Sequence, residues 1–600
     1  MKGMKVMTLN QDKFYFSLLA GAKSVLKHKD TLNKINVFPV ADGDTGTNLA
    51  SLMNAILDES SADTSDKNKL LIVADRALEG ARGNSGIIFA QYLNGLINEL
   101  DTSKEDIDFE SLLGAIDKAV PYAYDAVSEP VEGTMLTLMR EWSETLALLK
   151  EKTQDITILL AESFDTLRHL LAETTEKLDV LKQNNVVDAG AKGFFHFVEG
   201  FMHYLRDGIM DEMYEDSFDA NNSDNEGPEN HEAFEEGDYR YCTEALITGE
   251  NLSAKAIKKT LHDLGNSMVV AGNESKVRVH IHTNEPDKVF FRLRDFGHIK
   301  QQKVDDMKRQ HEVRNARKYD TVIVTDSIAD LPQTMVDRYQ IQQIPLILTI
   351  EGSDYYDKLT ITSDKFYQFM DELKDYPKSA QPNLKQMQNF FSYLSTYYKK
   401  IIVISVSSKM SGTHNVFKQA AKTLDDSVQI EVIDSKQNSG AQGLLVMRAA
   451  EMVDEGSKFK DIVQTLNTLR DKACILVSVK TLKYMVRGGR VSKATGVIGK
   501  ITNLKPVISI DNTGEGIIFA KGFSVKMSTN KIFKHLEKVN QEHGIERYAI
   551  VHAKADARVT EYIAKAKAIT GMDPIYTMDI STIVAMNAGI GTVAIAYITK

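Results

Sequence analysis

Residues 211–238, DEMYEDSFDANNSDNEGPENHEAFEEGD, limit the folding of this chain more than any other stretch. They are dense in acids, asparagine and glycine and poor in aliphatic side chains. Such a segment cannot bury enough apolar surface to offset the entropy of ordering. It reads as a solvated flexible linker, with an anionic partner-binding tail as the alternative. A chain of 600 residues also exceeds what one hydrophobic core organises, so three or four domains are expected.

The texture on either side of this segment differs. From residue 10 to about 208, apolar residues recur at spacings of three and four, as in FYFSLLAGAKSVL, LLIVADRALEGA and GFFHFVEGFMHYLRD, which predicts an all-helical bundle over 1–210. Residues 239–317 read as a small α+β unit: a strand YRYCTEALI, a helix SAKAIKKTLHDLG, paired strands SMVVAG and KVRVHIHT, and a helix near DKVFFRLRDFG. Over 318–600, short β-branched runs such as TVIVTDS, IIVISVSS and TVAIAYIT alternate with helices, the pattern of an α/β fold.

Net charge is −11 with a pI near 5.8, which argues against non-specific nucleic-acid binding. An anionic substrate therefore needs a locally positive pocket. Cys242 and Cys474 are the only cysteines, so a reducing compartment is expected and no disulfide framework. No apolar run approaches the roughly 18 residues of a membrane span, and the N-terminal stretch lacks a signal-peptide core. A cytoplasmic location follows as the expectation.

The chemistry begins at VFPVADGDTGTN, residues 37–48. Two carboxylates on one tight loop, Asp42 and Asp44, suit Mg²⁺ while substrate phosphates supply further ligands. Gly43 and Gly46 let the backbone turn toward phosphate oxygens, and Thr45, Thr47 and Asn48 add neutral hydrogen-bonding groups. A plain Asp-Gly turn is the bland alternative. Two more loops beside helical segments, GARGNSG (80–86) and EPVEGTMLT (129–137), favour an anion site. No GxxxxGK[ST] string is present, which argues against a P-loop enzyme.

NVFPVADGDTGTN, GARGNSG, PVEGTMLT and VVDAGAKG (186–193) together resemble the nucleotide-binding domain of dihydroxyacetone kinases, in the version found in bacterial fatty acid kinase. The resemblance implies an eight-helix antiparallel barrel that holds ATP through two Mg²⁺. Carried over by position, Asp42 and Asp44 are metal ligands and carry catalysis, with Asn36 near a third ligand position. Thr45, Gly46, Thr47, Asn48, Gly83, Asn84, Ser85 and Gly86 cradle phosphates, Thr134 lies nearby, and Asp188 sits in the loop closing over the nucleotide. Ala41 departs from the pattern, which usually has proline there.

In the α+β unit, Cys242 and the pair His280 and His282 form a candidate metal constellation, since residues two apart on a strand share a face. Unrelated residues are the alternative. YCTE and HIHT resemble the middle domain of the catalytic protein of fatty acid kinase, which raises a zinc-like site there; direct chemistry or dimer-interface structure is the rival role. TVIVTDSIADLP, PKSAQPN, SVSSKMSGTHN, VIDSK, VRGGRVSK and NLKPVISI resemble DegV-type fatty-acid-binding proteins over 319–600. That resemblance implies two α/β subdomains around an apolar tunnel whose mouth holds a carboxylate. Ser379 and Ser411 take hydroxyl positions and Arg490 a basic one. Asn587 stands where a histidine is expected, and AKGFSVKM offers only Lys521 and Lys526 where an arginine is expected. Asn587 brings no charge, which puts the ligand rather than the fold in doubt.

The resemblances together imply a self-contained kinase. It converts a fatty acid, or related lipid acid, bound in its own DegV-type domain into an acyl phosphate, within one chain or between chains of a homodimer. A tethered carrier domain has an effective concentration of roughly mM where geometry permits contact. The alternatives are a lipid-binding sensor or scaffold with a regulatory kinase half, and a small polyol or ketone kinase.

Overall fold

The computed structural model describes residues 8–39, 43–58, 68–208, 239–488 and 504–600. Packing of the Cα trace divides the chain into two compact units. One comprises Met1–Glu285 with Arg292–Asp306, the other Pro286–Phe291 with Met307–Lys600.

The first unit opens with long helices, among them Gln11–Lys27, Thr45–Leu57, Lys69–Gly80, Gly83–Asn98, Phe109–Ala126, Met135–Leu149, Ile156–Lys177 and Ala189–Asp207. Their starts follow the local chemistry. Asn10, Asn68, Asp108, Asp155 and Asp188 each accept a backbone N–H of the helix they precede. The apolar faces meet in one core where Phe89, Phe194 and Trp142 pack edge to face. The expectation of helices alone needs a small correction: Thr8–Asn10 and Asp106–Asp108 pair as short antiparallel strands.

A four-stranded antiparallel sheet completes this unit, in the order Gly265–Gly272, Lys276–Thr283, Tyr241–Thr248, His298–Asp306. It packs on the helices. Lys276 pairs with Asp75 at 2.6 Å and Glu79 at 2.7 Å, and Gln91 accepts from the Gly272 N–H at 2.9 Å. The α+β segment therefore shares a compact body with the helical segment. The linker expected at 211–238 lies outside the described residues.

The second unit is α/β. A parallel sheet runs Gln429–Asp434, Lys400–Ser405, Thr321–Asp326, Gln342–Ile344, the first three being β-branched runs of the kind the sequence predicts. A six-stranded, mostly antiparallel sheet has Ala473–Ser478, Val593–Thr599 and Ile545–His552 at its centre. A three-stranded sheet of Ile347–Ile350 flanked by Ser353–Tyr356 and Lys378–Ala380 is inserted in sequence between the parallel strands Gln342–Ile344 and Lys400–Ser405. Among the described residues, no helix is long and apolar enough to cross a membrane.

Candidate active site

In the first unit the site is built where helices begin. First-turn N–H groups lack intrahelical partners and attract anions. Four such ends are tied together. Asp44 occupies the N-cap position of Thr45–Leu57 without capping it through its side chain; its Oδ1 instead accepts from Asn48 Nδ2 at 2.7 Å. Asn48 packs against Gly83, which starts the next loop's helix with φ at +58°, and a Cβ on Gly83 would overlap the Asn48 amide. Gly86 abuts the Asn48 carbonyl. Ser85 Oγ faces Gly190, and Asp188 Oδ1 accepts from the Met135 N–H at 3.1 Å and the Ala191 N–H at 2.7 Å.

Other predicted residues brace this arrangement. Thr45 Oγ1 donates to Asn36 Oδ1. Asn33 accepts from the Thr47 N–H at 3.0 Å and donates to Thr47 Oγ1 at 3.1 Å. Gly46 packs so closely on the Lys29 carbonyl that no side chain fits there. Thr134 Oγ1 donates to the Val131 carbonyl at 2.8 Å. Burial pushes the Asp188 carboxyl up to about 6 despite its two N–H donors. Asp42 lies outside the described residues.

Asn84, Ser85, Thr134 and Asp188 line one cavity of about 770 Å³. Its other wall carries Lys255, Lys258, Lys259 and His262 from the helix Ala254–Leu261 and the residue that ends it. Lys258 is anchored by donating to the Asp125 carbonyl at 2.6 Å and the Val127 carbonyl at 3.1 Å. In an acidic chain this wall supplies the positive surface an anion requires. Asn84 Oδ1 is buried there without a hydrogen-bond partner. Sequence reasoning read the lysine segment only as a helix. Its signal was the spacing of lysines at i, i+3 and i+4, which puts them on one face.

On the neighbouring sheet, register pairs Cys242 with His282 and Glu244 with His280. Alternation then puts all four side chains on one face. Ligand atoms of Cys242, His280 and His282 lie within 4.8 Å of one another. His280 Nδ1 is 3.8 Å from Cys242 Sγ and 3.4 Å from Glu244 Oε1, and its Nε2 is buried without a hydrogen-bond partner. Burial, helped by the charge of His280, holds His282 down at about 3, so its imidazole is neutral. Burial pushes the Cys242 thiol well up, with the charges of Glu244, Asp305 and Asp44 adding to it. One thiol and two imidazoles at this spacing fit zinc.

In the second unit Ser379, Ser411 and Asn587 line one cavity of about 490 Å³ whose remaining wall is largely aliphatic, including Leu346, Val406, Ile475, Ile508 and Ile583. Ser411 Oγ lies 2.8 Å from Thr413 Oγ1. Asn587 Nδ2 donates to the Ile583 carbonyl at 2.9 Å, while its Oδ1 is buried without a hydrogen-bond partner. Arg490 lies outside the described residues. Cys474 sits in the central strand of the six-stranded sheet, 3.8 Å from Ser509 Oγ.

Comparison with known proteins tiles the chain. A DAK2 domain model matches residues 39–203, a model of the FakA-like middle domain of fatty acid kinase matches 238–314, and a DegV family model matches 320–600. The chain unites a DAK2 domain, a FakA-like middle domain and a DegV domain.

The DAK2 domain thus carries the joined helix starts, the middle domain the lysine wall and the Cys-His-His cluster, and the DegV domain the aliphatic cavity. Protein YloV of Bacillus subtilis is 33% identical over 321 residues, which is 51% of this chain and 57% of that protein. A protein of Staphylococcus epidermidis is 30% identical over 344 residues, 54% of this chain and 62% of its own length. The chain therefore spans less than two thirds of the length of these curated relatives. Among solved structures, DegV of Bacillus subtilis, a fatty acid binding protein, is 26% identical with a TM-score of 0.43, covering 47% of this chain and 100% of its own. A fatty-acid-binding DegV family protein of Thermus thermophilus is 24% identical with a TM-score of 0.43, over 47% of this chain and 99% of its own.

Proposed function

We propose that this chain is an ATP- and Mg²⁺-dependent kinase that phosphorylates the carboxylate of a fatty acid, or related lipid acid, held in its DegV domain. The observation that carries the reading is the junction of four helix starts, three of which open on a cavity with a lysine wall. That geometry suits a polyphosphate, and the DAK2 match supplies the kinase class. Asn84, Ser85 and Thr134 would meet the phosphates, and Asp188 would hold two of the helix starts in place. Asp44, with Asp42 and Asn36, offers an all-oxygen donor set that fits Mg²⁺. Bound there, the metal supplies charge neutralisation on the transferring phosphoryl group.

The acceptor would enter with its chain in the aliphatic cavity and its head toward Ser379, Ser411 and Asn587. A carboxylate oxygen forms the new bond to the γ-phosphorus as the bond to the bridging oxygen breaks and ADP leaves. The reading includes a helical barrel of eight helices for 1–210, a middle domain at 239–317 and a lipid domain at 318–600. It also includes a cytoplasmic location and zinc at Cys242, His280 and His282. A second reading, a lipid-binding sensor, draws support from Asn587, whose neutral amide stands where a charged partner for a carboxylate is expected.

Incubation with ATP, Mg²⁺ and a panel of fatty acids tests the proposal. Hydroxylamine should trap an acyl hydroxamate from the wild type and none from Asp44→Ala, whose fold should survive because the Asp44 side chain makes no helix cap. No product with any lipid acid, or normal turnover in Asp44→Ala, defeats it.

A further inference from the structure

The loop that starts the Gly83–Asn98 helix is held from outside the helical segment. Glu244, on the middle strand Tyr241–Thr248, is 1% exposed and directs both carboxylate oxygens at this loop. Oε1 accepts from the Gly83 N–H at 2.7 Å, and Oε2 lies 3.3 Å from Arg82 Nη1. Arg82 Nη2 donates to Gln301 Oε1 at 3.2 Å, and Arg278 Nη2 donates to the same oxygen at 3.0 Å. Arg278 is fully buried and also donates to the Leu78 and Glu79 carbonyls at the end of the preceding helix. The sheet therefore grips the turn between two helices at both ends.

We propose that Glu244 is a positioning residue for nucleotide binding: it fixes the Gly83–Gly86 loop through the Gly83 N–H and joins that loop to the Cys242–His280–His282 cluster through His280. The role rests on the kinase reading given above. Three observations assign it. Gly83 is held at a positive φ, against the Asn48 side chain that in turn bonds Asp44, so displacing Gly83 disturbs the metal-binding side of the site as well. Because its N–H is committed to Glu244, Gly83 is an anchor, while Asn84 and Ser85 are the residues of this loop that face the cavity. Finally, Arg82 beside the carboxylate compensates its charge, so the repulsion between Glu244 and a bound polyphosphate is offset.

Two conservative variants of the full chain separate reach from charge. Glu244→Asp keeps the charge but withdraws the oxygen by roughly one carbon–carbon bond, about 1.5 Å, breaking the Gly83 contact. Glu244→Gln keeps the reach and an acceptor oxygen but loses the charge. Equilibrium binding of a fluorescent ATP analogue with Mg²⁺ should weaken about tenfold in E244D and stay within about threefold of wild type in E244Q. Hydrogen exchange over residues 79–88 should quicken in E244D and not in E244Q. E244D binding within about twofold of wild type, or E244Q binding more weakly than E244D, overturns the assignment. Should E244D fail to fold, E244Q decides alone, since a loss of more than tenfold there contradicts a role based on the acceptor oxygen. A wild type that binds no nucleotide brings down the kinase reading and this role with it. Normal wild-type binding left intact by E244D brings down this role only.

Discussion

Glu244 in the first unit and the pair Asp326 and Asp357 in the second are buried carboxylates held in opposite ways. Glu244 in the first unit sits among charged groups. Burial alone would raise it, yet the hydrogen bond and charge of His280, with Lys303 and the Gly83 N–H, hold it well below the usual carboxylate range. Asp326 and Asp357 in the second unit are met mainly by neutral donors. Asp326 accepts from the Val406 and Ile328 N–H groups and from Gln442, Asp357 from Ser327 Oγ and the Thr582 N–H. Burial pushes both up to about 6, only partly opposed by these donors at Asp326 and, at Asp357, by the charge of Lys358 ahead of the donors. Removing a charged neighbour of the first kind leaves a buried charge uncompensated, whereas the second kind is held by dipoles that carry no net charge to lose. The first arrangement stands beside the proposed nucleotide loop. In the second, Asp357 holds the start of the helix Thr582–Ala588, which lines the aliphatic cavity.

The largest effect should come from breaking the charged arrangement. Arg278→Met removes a fully buried guanidinium that burial already pushes down to about 9. The variant strips hydrogen bonds from the Leu78 and Glu79 carbonyls and a counter-charge from Glu244. Loss of one member of such a network costs about 3–5 kcal/mol. Chemical denaturation should show that loss in the first unit, with hydrogen exchange unchanged over 321–350. A cost below about 1 kcal/mol would mean that Glu244 does not rely on its charged surroundings.

Much of this was legible in sequence, and the reason is physical. Strands such as KVRVHIHT and TVIVTD carry β-branched alternation or full burial, and the structure gives strands at Lys276–Thr283 and Thr321–Asp326. Cys242, His280 and His282 could be nominated because period two on a strand fixes which side chains share a face. Glu244 follows the same period but was missed, because its partners Arg82 and Gly83 are some 160 residues away, and no local pattern encodes a tertiary hydrogen bond. The lysine wall was missed for a related reason: a basic helix face usually meets solvent, and only the tertiary fold turns it toward the cavity. That the middle segment packs with the helices was hidden as well, since an acidic stretch between two segments says nothing about the surfaces they share.

Metal loading should sharpen the contrast at intermediate size. A zinc ion at Cys242, His280 and His282 adds positive charge beside Glu244, and nothing comparable is expected near Asp357. Zinc at about 100 times its Kd should stabilise the first unit by about 2.7 kcal/mol. Cys242→Ser should abolish that gain and lower bound zinc as measured by plasma mass spectrometry. Equal zinc stabilisation in wild type and Cys242→Ser would remove the cluster as its binding place.

The smallest effect should come from Asp357→Asn, and its sign depends on pH. Because the folded carboxyl of Asp357 titrates near 6, above its ordinary 3.8, the folded state holds a proton that the unfolded state has released between those values. Stability from this group is therefore fully present below about pH 4 and falls as pH rises through 6, by about 3 kcal/mol for a shift of this size. Glu244 behaves oppositely, its contribution being lost as pH falls below the ordinary carboxylate range. An asparagine at 357 can accept from the Thr582 N–H and donate to Ser327 Oγ, so both contacts survive. At pH 4.5 Asp357→Asn should lie within about 1 kcal/mol of wild type, and its relative stability should rise toward pH 7.5, since it lacks a charge whose desolvation is unfavourable. Urea midpoints at pH 4.5, 5.5 and 7.5 should also show one proton's worth of slope removed. A destabilisation at pH 7.5 as large as that of Arg278→Met would show that Asp357, too, is held by charge, and its distinction from Glu244 would fail.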